Sequence, residues 1–149
     1  MTNVESLLPH RDPFLFVDRI EHFDEKTVLG YRKFRSSENF FRGHFPDYPV
    51  VPGVLLVESL AQCGGAGVRA QGTLGNKLFF LAAIEKAKFR RQVRPGEEIK
   101  MEIENLRISS RMIRQKGVAS VDDEIACEAE WLCLLGDQPS SGASESSAV

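Results

Sequence analysis

His44 stands in a Gly-His-Phe-Pro turn, and Glu58 stands alone in the apolar run that follows it. Pro46, Pro49 and Pro52 lie between them, and Gly53 opens the apolar run. Histidine titrates near pH 6.5, so neutral imidazole is available at His44 as a base. No other charge lies between Asp47 and Arg69, which favours burial of Glu58. Burial disfavours a charged carboxylate and lets it keep its proton near neutrality, as a proton donor must. The bland alternative is a helix that surfaces there, with Glu58 and Gln62 in water. Pro52 and Gly53 suit a first helical turn, whose N–H groups have no internal partner. Those donors and the positive helix end suit a carbonyl oxygen that gains charge. A base, an acid and an oxyanion site fit proton removal α to a carbonyl with loss of a β-hydroxyl. General acid and base groups contribute ~10²–10⁴-fold each. The same constellation fits an isomerase or a hydrolase.

These groups need elements to hold them. Residues 53–70 are long enough for a helix of four to five turns, and its apolar positions surround the axis. A helix apolar all round is buried all round, so something must wrap it. The wrapper is read from the remaining periodicity. Residues 14–20 read as a short strand or the approach to one, and residues 27–35 as a strand, with a turn at Asp24-Glu25-Lys26 between them. Residues 77–91 read as one long strand or a bent pair. Residues 98–108 alternate, with Ile99, Met101 and Ile103 on one face. Residues 111–121 and 124–135 read as further strands about an Asp122-Asp123 turn, the last with Ile125, Cys127, Ala129, Trp131 and Cys133 on one side. Closely spaced strands with short turns favour antiparallel pairing, which gives an α+β layer architecture. The run Cys63-Gly64-Gly65-Ala66-Gly67 is glycine-rich for a helix. It implies either close packing against a neighbour or early fraying.

The chain of 149 residues fits one domain, 1–135, with residues 136–149 as a tail without periodicity that reads as disordered. The net charge of −2 provides no global basic field, so nucleic acid is not an expected partner. No apolar run approaches the roughly 20 residues that span a bilayer. The N-terminus resembles neither a signal nor a transit peptide, and the cytoplasm is the default. Cys63, Cys127 and Cys133 form no C-x-x-C pair and read as buried reduced thiols. His10 and His22 read as isolated structural histidines. The three histidines lack metal-ligand spacing, so no metal site is expected.

The stretch GHFPDYPVVPGVLLVESLAQ resembles the signature of the (3R)-hydroxyacyl-acyl-carrier-protein dehydratases of type II fatty-acid synthesis, closest to the FabZ group. The likeness extends to LLPHRDPFLFVDRI, AKFRRQVRPGEEI and GVASVDDEIACEAE, and covers residues 6–135. It implies a hotdog fold, a long central helix wrapped by an antiparallel sheet. It implies a homodimer whose sheets join, arranged as a trimer of dimers. Each site would take His44 from one subunit as base and Glu58 from the other as acid. The Gly53 amide would polarise the thioester carbonyl, and Phe45, Pro52, Val54 and Gln62 would line the substrate. The resemblance implies no metal or organic cofactor, and a substrate carried by acyl carrier protein. It also implies a cis peptide between His44 and Phe45. Glu at position 58, where the dehydratase-isomerases carry Asp, argues against isomerase activity. Gln92 departs from the expected Pro. The basic run Lys86, Lys88, Arg90, Arg91 and Arg94 is the expected dock for the acidic carrier, against the alternative of a solvated strand face. An acyl thioesterase or a non-catalytic acyl-binding subunit on the same fold are the rival readings.

Overall fold

A helix that is buried along most of its length must lie close to its sheet, and the glycines within residues 53–70 set how close. The computed structural model describes residues 3–72 and 74–137. A short helix α1 (Val4–Leu7) leads to strands β1 (Arg19–Phe23) and β2 (Thr27–Lys33), which form a hairpin. A 3-10 turn spans Asn39–Arg42, and helix α2 runs over Gly53–Ala70. Four strands follow: β3 (Leu78–Phe89), β4 (Glu98–Ile108), β5 (Met112–Val121) and β6 (Glu124–Gly136). They pair antiparallel in one six-stranded sheet of order β1-β2-β4-β5-β6-β3, and α2 touches all six strands. This is the α+β hotdog architecture that the resemblance implies. Among the described residues, no helix is long and apolar enough to cross a membrane.

The α2 helix continues through its glycines, so close packing explains them and fraying does not. A Cβ on Gly67 would lie 2.3 Å from Val28 Cγ2, and one on Gly64 would lie 2.3 Å from Gln115 Oε1. Each glycine costs a helix about 1 kcal/mol against alanine. Here that loss brings the helix backbone onto the sheet. Buried Gln115 donates from Nε2 to Gly64 O (3.2 Å) and Asn105 Oδ1 (2.7 Å), and accepts from Trp131 Nε1 (3.1 Å). A polar group inside the core is thereby satisfied, as burial requires.

Two expectations need correction, and one choice between alternatives is decided. Residues 14–18 are the approach to a strand, because β1 starts at Arg19. The Phe16 N–H is taken by the Gln62 side chain at 2.8 Å, which leaves no ladder bond for it. In β6, Ile125 faces outward and Ala126 is buried instead. The register against β5 shifts between Ala119 and Ser120, and such a bulge reverses the alternation. Gly136, expected to begin the tail, closes β6. The rest of the expected tail, apart from Asp137, lies outside the described residues.

Other readings hold. Residues 78–89 are one strand with two register shifts against β6. Asp122 and Asp123 both take positive φ (47° and 67°), as a tight hairpin turn demands. Asp24 closes its turn by accepting from Lys26 N and Thr27 N, each at 2.7 Å. His22 is the surface partner of Asp24 at 3.0 Å.

The Gly67→Ala variant should be less stable by about 1–3 kcal/mol, since overpacking against β-branched Val28 outweighs the gain in helix propensity. Equilibrium urea unfolding would show this as a lower midpoint. Val28→Ala should then cost less in the Gly67→Ala background than in the wild type. An unchanged midpoint would mean that the sheet yields freely.

Candidate active site

The turn that carries His44 is fixed by backbone bonds. His44 N donates to Phe40 O at 3.0 Å, and Tyr48 N donates to Phe45 O at 2.8 Å. The His44 ring is half-buried, and its Nδ1 lies 2.9 Å from Val50 O. A carbonyl only accepts, so Nδ1 carries the ring proton and Nε2 keeps its lone pair. That is the tautomer a general base needs. The expected cis peptide after His44 is absent: the cis bond among the described residues is Asp12–Pro13. Phe45 reverses the chain in another way, with a φ of 60°. Its ring stacks near His44, with centroids 4.4 Å apart, and is 58% exposed.

Val51 N donates to Val93 O at 2.8 Å and ties the end of the loop to the segment after β3. The α2 helix then begins with Pro52 as its N-cap and no side-chain cap. Leu55 N and Leu56 N donate to Pro52 O, while Gly53 N and Val54 N have no such acceptor among the described residues. Two donors thus stay free at the positive end of the helix. Gly53 is required there by packing as well. A Cβ would lie 2.8 Å from the Phe89 ring. Val54 projects outward, 72% exposed, beside the unpaired edge of β3, where Ile84 and Phe89 are also exposed.

Glu58 lies five residues along α2 from Gly53, a rise of about 7.5 Å. Its side chain is 21% exposed, between the buried and the solvated alternatives. Gln62 Nε2 donates to Glu58 Oε2 at 2.9 Å and to Phe14 O at 3.0 Å, while Gln62 Oε1 accepts from Phe16 N. Gln62 is 2% exposed. Its amide is bonded to the N-terminal backbone and to Glu58. His44 and Glu58 share no hydrogen bond or ion pair within the chain.

The residue that sequence reasoning missed is His10. Its Nε2 lies 3.7 Å from Glu58 Oε2. Burial pushes His10 below its ordinary value, the Glu58 carboxylate pulls it back up, and Arg11 adds to the lowering. Its isolation in sequence hid this contact, because α1 and the 14–18 segment bring it onto α2. The available signal was its place in LLPHRDP, inside the stretch that carries the resemblance. The three thiols are buried, as expected. Burial pushes Cys133 up to about 12, with the nearby Glu58 carboxylate adding to it.

The basic run does not form one free patch. Strand register sets Lys86 opposite Glu130 and Lys88 opposite Glu128. Arg90 pairs with Glu128, and Arg91 with Glu97 (2.8 Å) and Glu124 (3.4 Å). Arg94 instead stacks on Tyr48, its Cζ 4.1 Å from the ring centroid, and bonds the Tyr48 hydroxyl. Tyr48 in turn donates to Gln92 Oε1 at 3.0 Å. The departure at position 92 thus makes a contact with the His44 loop that proline lacks the side chain to make.

A backbone-oriented imidazole, an uncapped helix start and a carboxylate on the same helix are set on a hotdog fold. The comparisons place it more closely. The chain belongs to the FabA-like domain family, which matches residues 8–130. It is 44% identical over 136 residues to the 3-hydroxyacyl-[acyl-carrier-protein] dehydratase FabZ of Bacillus licheniformis, covering 91% of this chain and 94% of that one. It is 44% identical over 142 residues to the FabZ dehydratase of Bacillus cereus (strain AH187), covering 93% and 99%. Among solved structures, the dehydratase heterocomplex ApeI:P of Xenorhabdus doucetiae matches with a TM-score of 0.77 at 14% identity, covering 93% of each chain. A mutant thioesterase of Pseudomonas aeruginosa matches with a TM-score of 0.65 at 16% identity, covering 91% and 94%. These two share the fold.

Replacing Gln62 by Leu would leave the Phe16 N–H buried without a partner and the half-buried Phe14 carbonyl without its donor. Such groups cost about 1–3 kcal/mol. Urea unfolding of Gln62→Leu should show a loss in that range. A loss under about 0.5 kcal/mol would mean that water replaces the amide.

Proposed function

We propose that this chain dehydrates (3R)-3-hydroxyacyl groups on acyl carrier protein to trans-2-enoyl groups, in fatty-acid elongation in the cytoplasm. The observation that carries the reading is the bond from His44 Nδ1 to Val50 O, which leaves Nε2 as a base. In this reaction His44 Nε2 takes the α-proton of the thioester. The charge that reaches the thioester oxygen rests on the Gly53 N–H at the start of α2. Glu58, protonated, gives its proton to the β-hydroxyl, which leaves as water. Phe45, Pro52 and Val54 flank the reacting carbons. The residues present suffice for these steps without a cofactor.

Two sites form in a homodimer, each with His44 of one subunit and Glu58 of the other. The unpaired edge of β3, with Val54, Ile84 and Phe89 exposed beside it, supports this seam. Three such dimers make the assembled enzyme. The carrier meets Arg94 first, because that guanidinium has no carboxylate in ion-pair reach among the described residues and stands on the His44 loop. Lys86, Lys88, Arg90 and Arg91, whose carboxylate neighbours offset their charge, contribute less.

Hydration of a crotonyl thioester on acyl carrier protein, followed by loss of enoyl absorbance, tests the chemistry. Both His44→Ala and Glu58→Gln should fall by ~10²–10⁴-fold while remaining folded. An inert wild type, or release of free thiol, would overturn the assignment. Mixing the two inactive variants and letting subunits exchange should restore about a quarter of wild-type activity, since a two-fold heterodimer rebuilds one intact site. No recovery despite exchange would place both residues of a site in one subunit. Separately, Arg94→Glu should raise KM about tenfold for the carrier-bound substrate and leave a small thioester analogue unaffected. Equal effects on both would remove Arg94 from docking.

A further inference from the structure

Each turnover proposed above leaves a proton on His44 and a bare carboxylate at Glu58. A proton must return to Glu58 before the next substrate is dehydrated, and the surroundings of that carboxylate narrow the route. Gln62 is hydrogen-bonded to Glu58 Oε2, but an amide does not pass on a proton near neutral pH. Cys133 is buried, and burial keeps its thiol protonated. Oε1 has no hydrogen-bond or ion-pair partner among the described residues and stays free for substrate. His10 is what remains. Its Nε2 is 3.7 Å from Oε2, and its side chain is 27% exposed, so it reaches both the acid and the solvent.

The position of His10 is built. Arg11 Nη1 donates to Leu8 O and His10 O, each at 2.7 Å, and Arg11 Nη2 donates to Glu5 O at 3.1 Å. This guanidinium fixes the backbone that carries the ring. The ring stacks on Phe14, with centroids 6.4 Å apart. Its Nδ1 is buried without a hydrogen-bond partner. An imidazolium has two N–H donors to satisfy, and one of them would be orphaned here. A protonated His10 therefore gives its proton up readily, and the nearest acceptor is Glu58. The charged and titratable groups that face it are Glu58 from α2 and Arg11 beside it in the chain.

We propose that His10 returns the proton to Glu58 between turnovers, acting through Glu58 and not on the substrate. His10 Nε2 takes a proton from solvent water, and the resulting imidazolium passes it to Glu58 Oε2. The imidazole is left neutral and the carboxylate becomes a carboxylic acid. His44 gives the α-proton to solvent, so no proton is gained or lost over a cycle. This role rests on the dehydratase reading, with Glu58 as the acid.

The test is steady-state kinetics of His10→Ala and His10→Phe on carrier-bound 3-hydroxyacyl substrate, beside the wild type and Glu58→Gln. Recharging of free enzyme limits kcat and not kcat/KM. Both His10 variants should lose kcat by about tenfold with kcat/KM nearly unchanged. Added imidazole should restore most of kcat in His10→Ala, where the ring has left a space. His10→Phe keeps the ring packing and reads the same split if the alanine variant does not fold. An equal fall in kcat and kcat/KM without rescue by imidazole would make His10 merely structural. Unchanged kcat in both variants would remove it from the cycle. Full activity of Glu58→Gln would instead overturn the acid assignment, and the relay with it. An inactive Glu58→Gln beside His10 variants that show no split would overturn the relay alone.

Discussion

The amide of Gln62 joins two parts of the molecule that sequence separates widely, and it meets Glu58 on one of them. It holds the backbone of the N-terminal segment at Phe14 and Phe16, it belongs to the central helix, and it grips the Glu58 carboxylate. Because the amide is buried, each of its bonds is costly to lose, and the three constrain one another. The docking of residues 14–16 on the helix follows from this grip. So does the approach of His10 to Glu58, since the same segment delivers it to the helix. The Gln62 side chain thus decides the surroundings of the Glu58 carboxylate.

The second constraint is the depth at which α2 lies. Its glycines let the helix backbone sink onto Val28 and Gln115, and the sheet bends around it. Depth on one side leaves the helix start open on another, with Gly53 half-buried and Val54 exposed. The outer face of the sheet has different needs. There Lys86, Glu130, Lys116 and Glu104 face one another across four strands in alternating sign. Such a surface is well solvated and carries little long-range field, which leaves recognition to charges outside the ladder.

Much of this was legible in the sequence. Strict alternation revealed Ile99, Met101 and Ile103, and the all-round apolar character of residues 53–70 revealed a wrapped helix. His44 and Glu58 stood out because each was isolated in an unusual setting. What failed did so for tertiary reasons. Residues 14–18 have strand-like composition, but the Phe16 N–H went to a side chain 46 positions away. Ile125 lost its inward place to a bulge that no composition signals. The left-handed turn at Phe45 and the contact of His10 with Glu58 depend on how distant segments meet. The glycine run had two readings, and only the neighbouring side chains decide between them.

His44 and Glu58, the base and acid of the proposed reaction, differ in what holds them, and the difference bears on how the protein tolerates genetic change. His44 is oriented by the carbonyl of Val50, which every amino acid supplies. No single substitution at position 50 deletes that acceptor. Glu58 is held by the side chains of Gln62 and His10, and one codon change removes either. Random drift should therefore erode the acid before the base. A descendant of this chain that has lost its activity but not its fold would be expected to keep a well-oriented imidazole beside a carboxylate that has come adrift.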